Sequence, residues 1–143
     1  MHNPLLELDG LPPFSQIRPE HVEPAIDRLL AECREGVKQL LADNSHYSWD
    51  NLVDPLEAMD DRLSRAWSPV SHLNAVVNSE ALREAYNACL PKLSEYGTEM
   101  GQNEDLFRAY RQIADGEEYN KLDTAQRKVI DNALRDFRLS GVE

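Results

Sequence analysis

The sequence predicts an all-α protein: four to five antiparallel helices in long, partly kinked helical hairpins, after an extended Pro-rich N-terminal leader. Three observations lead there. Apolar residues recur at the spacing of a helix face along most of the chain. Capping residues head most of these runs, and breakers close them. Strand-type alternation and hairpin turn signals are missing. The expected division is a leader over 1–18 and a single helical domain over 19–143.

In the leader, Pro12 and Pro13 fix φ at about −65° and remove two backbone donors, which calls for extended chain. Arg18, standing before Pro19, is pushed out of the α region, and Pro19 suits a first helical position. Ile17 and Val22 then occupy the two positions of a hydrophobic staple, with Glu20 and Glu23 near the positive helix end. The first helix carries Ile26, Leu29, Leu30, Cys33, Val37, Leu40 and Leu41 on one face and runs to about Ala42. It starts at Pro19 or at Pro24. Pro24 deletes the bond to the Glu20 carbonyl, so residues 19–23 are either the opening turn or a separate short one. Asp43-Asn44-Ser45 stops the helix, with Asn44 suited to the left-handed conformation.

Ser48 can cap a second helix, with Asp50 in its first turn. Its stripe is Leu52, Leu56, Met59, Leu63, Ala66, Trp67, Val70, Leu73 and Val77, and Pro55 and Pro69 make it one bent helix or two collinear pieces. Ser79 caps a third, with Leu82, Tyr86, Cys89, Leu90, Leu93 and Met100 inward. Pro91 within it costs on the order of 3 kcal/mol of helix propensity, so packing must dictate the local shape. Asn103 caps a fourth helix bearing Leu106, Phe107, Tyr110 and Ile113, which Gly116 ends. Asp123 with Gln126 forms a capping-box pattern ahead of a fifth, with Val129, Ile130, Ala133, Leu134 and Phe137 inward and Gly141 as its C′ residue.

Longer strings carry a resemblance. Asn3-Pro4-Leu5-Leu6 is followed by Leu11-Pro12-Pro13-Phe14-Ser15-Gln16-Ile17-Arg18-Pro19-Glu20-His21-Val22-Glu23-Pro24-Ala25-Ile26. Trp49-Asp50-Asn51-Leu52-Val53-Asp54-Pro55-Leu56-Glu57 and Leu63-Ser64-Arg65-Ala66-Trp67-Ser68-Pro69-Val70-Ser71-His72-Leu73-Asn74 continue it. Cys89-Leu90-Pro91-Lys92-Leu93-Ser94 and Asp136-Phe137-Arg138-Leu139-Ser140-Gly141 extend it almost to the last residue. These strings resemble the amino-terminal region of the thimet oligopeptidase family of zinc metallopeptidases. The resemblance implies a helical region in the wall of a deep channel that admits short, unstructured peptides, attached to a catalytic portion of the same polypeptide.

The family's zinc site rests on H-E-x-x-H, where two histidines share one helix face and the Glu between them serves as general base. Here the histidines are His2, His21, His46 and His72, no two of them within a helical turn. No catalytic, cofactor-binding or metal-ligating residue is therefore expected in this chain. Zinc belongs to the full-length family, and the chain alone is expected to be inactive.

At 143 residues the chain is one domain by length, able to bury roughly two thirds of its unfolded surface. Its 41% hydrophobic and 29% charged residues place it with ordinary globular proteins. A net charge of −11 repels a phosphate backbone, which argues against a nucleic-acid partner. Cys33 and Cys89 fall on apolar stripes and read as small buried hydrophobes in a reducing compartment. No signal peptide or membrane span is legible, so the expected location is the cytoplasm.

Other candidate chemistry reads as structural. Ser71 and His72 are adjacent and so point to different parts of a helix surface. Asp60-Asp61 diverge around their helix, Glu104-Asp105 complement a helix dipole, and Glu117-Glu118 are a solvated pair. Trp49, Trp67, Tyr86, Tyr96, Tyr110 and Tyr119 could form an aromatic binding stripe, although Trp67 lies on an apolar line that core packing explains. The alternative function is a free-standing acidic helical module that binds a partner protein. The last residues, just past a completed helix cap, read as a boundary cut by design or as a truncated gene product.

Overall fold

The computed structural model describes residues 3–6, 17–77 and 79–141. Six α-helices account for most of them: α1 (Pro19–Asp43), α2 (Asp54–Val76), α3 (Glu80–Gly101), α4 (Glu104–Asp115), α5 (Glu118–Lys121) and α6 (Thr124–Leu139). A 3₁₀ turn covers Pro4–Leu6, and a π turn over Trp49–Val53 leads into α2. No strand occurs among the described residues, so the all-α expectation holds. The helix count rises by one, because α5 is a single turn with no sequence signal.

Most of the leader, including Pro12 and Pro13, lies outside the described residues, as does His2. Its opening is not extended throughout. Asn3 folds the chain into the Pro4–Leu6 turn: its Oδ1 accepts the Leu5 N–H at 3.1 Å, and its Nδ2 donates to the His21 carbonyl at 2.9 Å. Pro4 and Leu5 are buried as a result.

The prolines are absorbed more smoothly than the sequence suggests. Pro19 opens α1 at its first position, and Pro24 stays within one continuous helix. Only the bond to the Glu20 carbonyl is forfeited, and the buried Val22, Ala25 and Ile26 around it hold the turn in place. Ahead of Pro55 the ladder widens, with the Asp54 N–H reaching back to the Trp49 carbonyl. Pro69 lies inside α2 and Pro91 inside α3. Pro91 and Asn87 are both exposed, so water can serve the carbonyl that Pro91 leaves unpaired.

The caps are where the sequence placed them. The Ser48 Oγ accepts the Asn51 N–H at 3.1 Å while the Asn51 Oδ1 accepts the Ser48 N–H at 2.8 Å. Ser79 accepts from Leu82, Asn103 from Leu106, and Asp123 exchanges two bonds with Gln126. Gly141, at φ 97°, closes α6 in the left-handed region that favours glycine. Asn44 differs from expectation. No described non-glycine residue has positive φ, and Asn44 instead ends α1 with its side chain, donating to the Leu40 carbonyl at 2.9 Å.

The chain divides into two compact units. One comprises the described residues of Met1–Glu35 and Ala58–Ser94. Its buried residues include Val22, Ile26, Leu30 and Cys33 from α1, Ala66 and Val70 from α2, and Leu82 and Cys89 from α3. The other comprises Gly36–Glu57 and the described residues of Glu95–Glu143. There α4 packs on α5 and α6, burying Leu106, Phe107, Tyr110 and Ile113 with Ile130, Leu134 and Phe137.

Two inward assignments fail. Leu90 is 41% exposed, and Tyr96 is buried in its place as the member of the seven-residue series Leu82, Cys89, Tyr96. Leu90 sits about 100° further round the helix than Cys89. Val77 falls just beyond the end of α2 and is exposed. Gly97 lies inside α3 with open space where a Cβ would be. Gly97→Ala should therefore raise stability by about 0.5–1 kcal/mol, read from the urea midpoint; a decrease would show that the site is crowded.

Candidate functional site

A group of interacting ionisable side chains in the first unit surrounds Cys89 on α3. Lys92, one turn away near the helix surface, donates to the Glu23 Oε2 at 3.1 Å and the Asp27 Oδ1 at 2.8 Å. Glu23 and Asp27 stand one turn apart on α1, so a single ammonium ties the two helices together. These bonds raise the Lys92 pKa, Asp27 contributing most and Glu23 next. Beneath them Cys89 is fully buried, and burial pushes its thiol up to about 11. The Lys92 charge opposes that rise, while Glu23 and Asp27 add to it. Such a thiol stays protonated near neutral pH and is a poor nucleophile or metal ligand. The sequence reading missed this group. The signal was present in Glu23 and Asp27, two carboxylates at i and i+4 beside an apolar stripe.

Around the same unit, the Glu32 carboxylate meets Arg28 at 3.2 Å and Arg62 at 2.9 Å. The Cys33 thiol is 3.9 Å from the Met59 carbonyl. Trp67 and Tyr86 stack with centroids 4.9 Å apart and planes 11° from parallel. Both belong to the expected aromatic stripe, and their stack joins α2 to α3.

In the second unit, Tyr110 and Phe107 both meet Phe137, at 5.9 and 5.6 Å between centroids. The Tyr119 hydroxyl donates to the Asp131 carboxylate at 2.8 Å, which raises the tyrosine pKa. Arg127 donates to the Tyr119 and Asn120 carbonyls, capping α5 from α6. The loop before α2 is held by side chains from the α4–α5 region: the Tyr47 N–H donates to Gln112 and the Trp49 N–H to Glu118. Leu41, Tyr47, Asp105, Arg108, Ala109 and Gln112 enclose an open hollow of about 410 Å³.

The histidines are dispersed. The His21 Nδ1 accepts the Arg18 N–H at 3.0 Å, taking the role a Glu or Gln plays in a capping box. His46 lies in the loop after α1, and His72 is exposed on α2. Asp60 and Asp61 are both exposed, and Asp61 pairs with Arg65 at 2.9 Å along α2. Among the described residues no three His, Cys, Asp or Glu side chains form a group able to hold a metal ion.

What this arrangement defines is an acidic, all-helical chain in which caps and ties between helices engage several of the polar side chains. Residues 26–143 match the family described as "Neurolysin/Thimet oligopeptidase, N-terminal domain". The chain belongs to that family. It is 56% identical over 142 residues to oligopeptidase A of Escherichia coli (strain K12), covering 99% of this chain and 21% of the relative. Oligopeptidase A of Haemophilus influenzae is 53% identical over the same length, with the same coverage. A probable cytosolic oligopeptidase A of Arabidopsis thaliana is 32% identical over 140 residues, covering 98% of this chain and 20% of the relative. The chain thus spans about a fifth of the length of the relatives it matches.

Proposed function

We propose that this chain is the non-catalytic N-terminal domain of an oligopeptidase A-like zinc metallopeptidase that hydrolyses short peptides. In this reading residues 19–143 serve as one helical domain in the wall of the substrate channel, where they exclude folded chains and shape the path of extended ones. The observation that carries it is the similarity running over 99% of the chain but only 21% of the E. coli relative. The partner is the catalytic portion of the same polypeptide, which holds the H-E-x-x-H zinc site. Short peptides are the substrates of the assembled enzyme, nucleic acid and membrane are not partners, and the compartment is the cytoplasm. The acidity supports the exclusion of nucleic acid. Among the described residues no helix is long and apolar enough to cross a membrane.

The test is direct. With 100 µM zinc the thermal midpoint of the purified chain should move by no more than about 1 °C, and a fluorogenic peptide should remain uncut. A site of micromolar affinity would add about 2.7 kcal/mol at that concentration, a shift of several degrees for a chain this long. Such a shift, or cleavage that a chelator abolishes, would overturn the proposal.

A further inference from the structure

We draw no further inference here: the strongest candidate, the open hollow lined by Leu41, Tyr47, Asp105, Arg108, Ala109 and Gln112 beside α4, carries nothing, because its polar groups are already paired within the chain and nothing in the structure shows what fills it.

Discussion

Phe137→Ala should cost about 3–5 kcal/mol, the range for removing a ring from a packed core. Phe137 is buried near the end of α6, with Phe107 edge-on to it and Tyr110 tilted against it. Truncation removes the shared partner of both α4 rings and leaves a void that fixed helix backbones cannot close. A domain of ordinary stability holds only about 5–15 kcal/mol, so one such change removes a large part of it. Urea unfolding followed by helical ellipticity should show a lower midpoint with an unchanged slope. A loss below about 1 kcal/mol would mean that this ring is not a core member.

The second large effect is alkaline. Cys89 holds its proton up to a pKa of about 11 in the folded chain, against 9.0 for an unperturbed thiol. The unfolded state therefore loses this proton first. The associated stability is complete below pH 9 and declines as pH rises toward 11, by on the order of 2–3 kcal/mol in all. Lys92 acts with the same sign, since its raised pKa means stability lost above its ordinary 10.5. Its contribution is small because the side chain is partly exposed. Urea midpoints at pH 8, 9, 10 and 11 should fall steeply for the parent chain and more gently for Cys89→Ala. Parallel curves for the two proteins would refute the assignment to this thiol.

The contrast between what was legible and what was not has a physical basis. Ser48, Ser79, Asn103 and Asp123 were readable because a cap bonds a backbone N–H only three residues on, so its whole geometry lies in a short string. The α4 and α6 stripes were readable because their apolar residues keep a strict period. Leu90 and Tyr96 were misjudged because α3 carries apolar residues on more than one line, and only the neighbouring helices decide which is covered. The single turn of α5 owes its satisfied carbonyls to Arg127, a residue of the next helix. Pro24 left the start of α1 open and Pro91 read as a cost within α3, because propensity is local, whereas the loss of one bond is offset by burial or by water. Of the candidate site, the cysteines were correctly placed in the interior. The Lys92 bridge was not foreseen, because it joins residues 65 and 69 positions apart.

The tether made by Asn3 has a practical meaning for how the protein is produced. Its amide holds the backbone of His21, and two residues further on Leu5 is already inside. A start codon chosen later in the gene, or an exopeptidase that nibbles away five residues, would strip a plug from the interior rather than trim a loose end. Any affinity tag should leave Asn3, Pro4 and Leu5 intact.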